Sequence, residues 1–144
     1  MKKLMGTSKD VSLTILRLVM GVVFFAHGAQ KMLGWFGGSG FHATMGFFGH
    51  VGLPAPVAFL VICTEFFGGL GLIVGLLTRI AALGIGVEMI VAIFMIHLQN
   101  GFFMNWQGTQ KGEGFEYHLL AIAVAAALLL RGAGAFSADR ALSN

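Results

Sequence analysis

Three apolar stretches of this chain, each long enough to cross a bilayer, carry ionisable residues in their interiors. Glu65 lies in one, Glu88 in another, and Arg17 with His27 in a third. A charged side chain at the bilayer centre costs about 2.5–3.5 kcal/mol even on lenient insertion scales, so such groups turn toward other helices and find partners there. The chain is therefore expected to be an integral membrane protein with a polar site between its helices.

Composition agrees. Hydrophobic residues make up 57% and charged residues 10% of the 144, against about 25% charged in a soluble domain. A single domain covering 1–144 is the natural reading of this length. The formal charge of +3 comes from nine Lys and Arg scattered along the whole chain. They form no basic patch, and no nucleic-acid partner is expected. The lone cysteine, Cys63, precludes an internal disulfide or dithiol couple and reads as a small buried hydrophobe.

A hydrocarbon core of about 30 Å needs about 20 apolar residues in a helix. The candidate spans are 11–33, 56–77, 79–98 and a shorter, Ala-rich 115–131 whose Arg131 can snorkel at its end. The expected fold is all-α, a four-transmembrane-helix bundle in which the second and third spans form a hairpin at Thr78. Phe41, Met45 and Phe48 recur at helical spacing between the first two spans, which predicts a short amphipathic helix in the interface. Pro54 and Pro56 end that segment and open the second span. Gly71-x-x-x-Gly75 would permit close helix approach within the bundle.

Lys2, Lys3, Lys9, Arg79, Arg131 and Arg140 fall on one side of the expected membrane, Lys31 and Lys111 on the other. This bias puts both termini in the cytoplasm. Trp35 and Trp106 fall at the opposite interface, and with Asn105 they are candidates for a lid over the bundle mouth or for simple interfacial anchors. A cleaved signal peptide would use Lys2, Lys3 and the apolar Leu18–Ala26 run, but Arg17 interrupts that pattern.

With a rise of about 1.5 Å per residue, Glu65 lies roughly 13 Å and His27 roughly 9 Å below the outer ends of their spans. Lys31 sits one helical turn above His27 on the same face. His97, Glu116 and His118 cluster at the outer ends of the third and fourth spans. These six residues are the candidate ligand-binding or proton-handling site, built as bundle sites are from facing helices. Arg17 and Glu88, roughly 9 and 13 Å from the inner surface, are expected to form a buried ion pair, with Glu65 also within reach of Arg17. That pair could serve chemistry or only fix helix register.

No His-x-x-x-His or Cys-x-x-Cys pattern is present, so no metal ligands are assigned, and zinc or a haem b held between His27 and His97 is disfavoured. Phosphate loops, a dinucleotide fingerprint and a nucleophile elbow are also missing. Any catalysis would have to occur inside the bundle, and a stand-alone enzyme is less expected than a subunit or an oxidoreductase component.

Several pieces in order and spacing carry a family resemblance. They are Arg17-Leu-Val-Met-Gly21 and Ala26-His27-Gly28-Ala29-Gln30-Lys31, then Gly52-Leu-Pro-Ala-Pro56, Glu65-Phe-Phe-Gly-Gly69 and Gly75-Leu-Leu-Thr78-Arg79. Asn105-Trp106, Gly114-Phe-Glu116-Tyr-His118 and Gly132-Ala-Gly134-Ala-Phe-Ser137-Ala-Asp139-Arg140 complete the set. In these the chain resembles the DoxX family (DoxX/DoxD-like small bacterial integral membrane proteins). The resemblance implies a four-helix protein of the bacterial cytoplasmic (inner) membrane. Family members are linked to a thiosulfate:quinone oxidoreductase subunit and to membrane complexes that respond to oxidative stress.

Three functions remain open at this point. One is a redox-associated subunit binding a quinone-like or other amphiphilic ligand, with electrons supplied by another redox protein. A second is a transporter or channel for a small solute or proton. The third is a non-catalytic assembly subunit. The lipid bilayer is the expected surrounding, and a second copy of the chain is a further candidate partner.

Overall fold

The computed structural model describes residues 5–143 and is helical, with no strand among them. Lys2 and Lys3, which contribute to the charge bias, lie outside the described residues. Six helices follow one another: α1 Val11–Leu33, α2 Gly40–His50, α3 Ala55–Val74, α4 Thr78–Asn100, α5 Glu116–Arg131 and α6 Ala138–Ser143. Of these, α1, α3 and α4 are long and apolar enough to cross a membrane. Helix α5, expected as a fourth crossing, has 16 residues, fewer than the about 20 a full crossing takes. It packs along α4 and α1.

Local chemistry sets the helix ends. Asp10 caps α1 by accepting from the Ser12 amide at 2.8 Å, and Gly34 closes it with φ 73°, the left-handed conformation glycine adopts without penalty. The second span stops at Val74 rather than at residue 77, because Gly75 (φ 74°) and Leu77 (φ 52°) turn left-handed. Gly75 is thus a helix stop and also a point of close approach: a Cβ there would stand 2.6 Å from the Ser137 Cβ and 2.9 Å from the Arg17 guanidinium carbon.

Close approach of one helix backbone to another uses other glycines. A Cβ on Gly28 of α1 would lie 2.3 Å from the Phe66 amide nitrogen of α3, and one on Gly69 of α3 would lie 2.3 Å from that of Phe25. The α1 and α3 backbones therefore touch along two glycines, as small residues allow in helices without a hydrophobic drive to associate. The core that this contact organises holds Met20, Phe24, Leu72, Ile85 and Leu128, drawn from α1, α3, α4 and α5.

Helix α2 presents Phe41, Thr44, Met45 and Phe48 toward the rest of the protein and leaves Phe47 exposed, following the anticipated spacing. It leans on α1 and α3, with the Phe41 and Phe59 rings 6.2 Å apart. Helices α3 and α4 each contain one π-helical turn, Thr64–Gly68 and Ile93–His97. Such turns insert a residue and are common at functional sites. Here they carry Glu65 and His97.

Candidate functional site

One end of the protein, which holds the start of α1 and all of α6 and is termed the inner end, is tied shut by polar contacts. The Arg17 guanidinium, 1% exposed, donates to four backbone carbonyls: Leu72 at 2.5 Å, Ile73 at 2.6 Å, Phe136 at 2.8 Å and Ala133 at 3.1 Å. Two of these belong to the C-terminal turn of α3, whose unpaired carbonyls and negative dipole end attract a cation. Asp139 works on the neighbouring helix, accepting from the Leu77 amide at 2.7 Å and the Thr78 amide at 2.9 Å at the start of α4. Its own amide donates to the Gly75 carbonyl at 2.8 Å. Arg79 donates to the carbonyls of Leu129, Leu130 and Gly6.

Arg17 therefore does not pair with Glu88, contrary to the sequence-based expectation. Five fixed donors of a guanidinium are better matched by a ring of carbonyls at a helix terminus than by one carboxylate. Only the Lys31–Glu65 ion pair is found among the described residues.

That pair lies in the outer half. Lys31 Nζ of α1 donates to Glu65 Oε2 of α3 at 2.5 Å, and Glu65 is only 5% exposed. Glu88 of α4 adjoins Glu65, with its Oε2 buried and without a hydrogen-bond partner. Three helices thus bring one ammonium and two carboxyls together. Lys31 spends one of its three N–H bonds on Glu65, leaving the others free. Buried polar atoms without partners are rare; besides Glu88 and His118 they occur here on Ser8, Thr14, Thr78 and Arg79, away from this site.

These groups border a cavity of about 780 Å³, within the range of small-molecule sites. His27, Lys31, Glu65, Glu88, His97 and His118 all line it. Its remaining wall is mainly apolar and includes Phe24, Phe48, Leu60, Leu83 and Met89. On the α4–α5 side the His97 and His118 rings lie 4.0 Å apart between centroids, tilted by 43°. His97 Nδ1 donates to the Glu113 carbonyl at 2.8 Å, while His118 Nδ1 is buried with no partner. Two orphaned atoms, on Glu88 and His118, thus belong to residues of a single cavity.

One expected site residue is engaged elsewhere. Glu116 does not line the cavity; its Oε1 accepts from the Met104 amide at 2.9 Å and the Trp106 indole at 3.4 Å, latching the α4–α5 loop. The candidate lid residues also stand apart. Trp35 and Trp106 are exposed and Asn105 holds its own loop through Gln110, so none of the three borders the cavity. On the outer side the cavity is lined by Phe48 of α2, by Val51 and Leu53 before α3, and by Met104 and Glu113 after α4.

Tyr117 is a lining residue the sequence reading passed over. The signal was available, since it is the only tyrosine in the chain and the immediate neighbour of His118. Cys63 is half-buried and free. Among the described residues no group of three or more His, Cys, Asp or Glu side chains is arranged to hold a metal ion.

Comparison with known proteins places this geometry in a family. Residues 12–98 match the family model described as DoxX. The chain is 32% identical over 124 residues to a protein of Bacillus subtilis (strain 168) named putative oxidoreductase CatD, covering 86% of this chain and 83% of that one. It is 30% identical over 144 residues to the inner membrane protein YqjF of Escherichia coli (strain K12), covering 100% of this chain and 98% of that one. No solved structure matches it significantly.

Proposed function

This chain belongs to the DoxX family, and within it we propose a redox-associated inner-membrane subunit that binds a quinone-like amphiphile in the cavity between α1, α3, α4 and α5. The observation that carries this reading is the composition of the cavity. An apolar hollow of about 780 Å³ has Lys31, Glu65 and Glu88 along one side and His97 with His118 along another. Ligand sites combine a mostly apolar lining with a few convergent polar groups that fix orientation.

Each polar group has a task in this reading. The free N–H bonds of Lys31 hold a head-group oxygen, Glu88 meets a hydroxyl, and His118 stands where a proton can be exchanged with the ligand. Glu65 fixes the Lys31 ammonium in place. Electrons come from a partner redox protein, since the side chains lining the cavity include no thiol pair or metal set. The naming of one relative as a putative oxidoreductase and of the other as an inner membrane protein favours the same role and location. Helix α5 makes the fourth crossing, with Arg131 reaching the inner interface and both termini in the cytoplasm.

Mild extraction of the protein, followed by quantification of quinone in its lipid fraction, tests the proposal. Quinone should exceed its share of the bulk membrane extract and approach one per chain. A quinone content equal to that of the bulk lipid would refute it. A transporter would instead show solute uptake in proteoliposomes that Glu65→Gln abolishes.

A further inference from the structure

The walls of the cavity include exposed apolar side chains. Leu60 of α3 is 61% exposed, while Leu83 and Val87 of α4 are 51% and 52% exposed, and all three line the hollow. A side chain that both lines a cavity and faces outward marks the rim of an opening. Helices α3 and α4 touch at the π turn of α3 and near their shared inner turn, whereas Ala55–Cys63 stands away from α4. The opening is therefore a crevice between the outer half of α3 and the face of α4, and it looks sideways into the bilayer.

The two ends of the cavity differ from this crevice. The inner end is packed with Leu72, Ile85 and Leu128 and bound by the Arg17 and Asp139 contacts. Toward the outer end the lining is Phe48, Leu53 and Met104 with the exposed Val51 and Glu113, so an approach there passes a charged side chain, whereas the crevice is bordered by apolar ones. Among the polar groups, Lys31 keeps donors to offer and Glu88 keeps an acceptor to fill. A charged head group would have to be desolvated beside charges of both signs, whereas a neutral one needs only its hydrogen bonds matched.

We infer that the cavity is loaded laterally, from the lipid, by a single-chain amphiphile whose neutral oxygen-bearing head group lodges against Lys31 and Glu88 while its tail leaves through the crevice between α3 and α4. This rests on the reading of the cavity as a ligand site and adds the route and the class of molecule that can use it. Leu60, Leu83 and Val87 are then entry residues. Their side chains are apolar and set what passes.

Entry and binding are separable by experiment. The probes are a benzoquinone bearing a decyl tail and its tail-less counterpart, titrated into nanodiscs. Their hosts are the wild-type chain, the Leu60→Trp/Leu83→Trp double variant and Val19→Trp. Val19 is equally exposed but lies on α1 outside the cavity. Referred to total probe, the tailed molecule should bind the wild type about tenfold or more tighter than the tail-less one, because its tail concentrates it in the bilayer from which it enters. It should lose about tenfold or more affinity in the double variant and none in Val19→Trp. If the rim variant leaves tailed binding intact while Glu65→Gln removes it, the site stands and the lateral route is overturned.

A second readout does not depend on quinone. A long-chain alcohol carrying a diazirine, dissolved in the bilayer and photolysed, should label Thr64 and Met89 inside the cavity, and the rim variant should abolish that labelling. Labelling confined to outward faces overturns the lateral route even if no quinone binds. A phospholipid retained one per chain overturns the single-chain class. Disulfide-linked dimers from Leu83→Cys in a Cys63→Ala background overturn lateral access by showing that a second copy covers the crevice.

Discussion

Lys31 Nζ meets Glu65 Oε2 at 2.5 Å, joining α1 to α3 inside the cavity. Removing one partner strands the other. Lys31→Met or Glu65→Gln alone should cost about 2–3 kcal/mol, below the full penalty for a buried pair because Lys31 is partly exposed. The Lys31→Met/Glu65→Gln double variant should cost less than the sum of its parts. Thermal denaturation in detergent across the four proteins of the cycle reads this coupling; additive losses would mean the pair carries no interaction.

Arg17 and Glu88 should behave as strangers. Arg17→Lys keeps the charge but loses the planar fork that reaches four carbonyls, at a cost of about 2–4 kcal/mol. Combining it with Glu88→Gln should add within about 0.5 kcal/mol, as for sites with no shared partner. A coupling well above that would restore the ion pair that the sequence suggested.

The two glycine contacts between α1 and α3 make a sharper stability test. Gly28→Ala drives a methyl into the Phe66 backbone, which cannot shift as a side-chain tip can, and should cost about 2 kcal/mol or more. Gly46→Ala on α2 meets open space and should be neutral or stabilising by up to about 1 kcal/mol, the helix-propensity gain of Ala over Gly. Melting temperatures of the two variants would give this ordering, and equal shifts would refute the close approach.

Asp139 caps α4 from outside its own helix. Asp139→Ala should cost about 1–2 kcal/mol, the usual loss at an N-cap. It should also speed hydrogen exchange at the Leu77 and Thr78 amides relative to amides in the middle of α4. Unchanged protection at those two positions would show that the cap is replaced by other groups.

Much of this was legible in the sequence wherever hydrophobic periodicity and charge at depth carry the information. The limits of α1 were visible as an apolar run from Val11 to Leu33, and a helix at α2 because Phe41, Met45 and Phe48 recur at helical spacing, but not that this face leans on α1 and α3. The meeting of Glu65 and Glu88 was half visible, since the rise per residue set both near mid-bilayer, though they were counted from opposite surfaces. The partners of Arg17 were not, because backbone carbonyls leave no mark in residue identity. Nor was the role of Glu116: its acceptors are filled by an amide and an indole from a loop whose path depends on glycines and on tertiary contacts. The early stop of α3 followed from Gly75, which also fits a packing motif; only the backbone angle reveals the stop.

Equilibrium binding of a decyl-tailed benzoquinone to the chain in nanodiscs, compared with Glu65→Gln and Lys31→Met variants of verified fold, bears most directly on the account. Saturable binding at one site per wild-type chain should weaken by about tenfold or more in each variant, the loss of one charge-assisted hydrogen bond. Binding that never saturates, or that both variants retain at full strength, would contradict it.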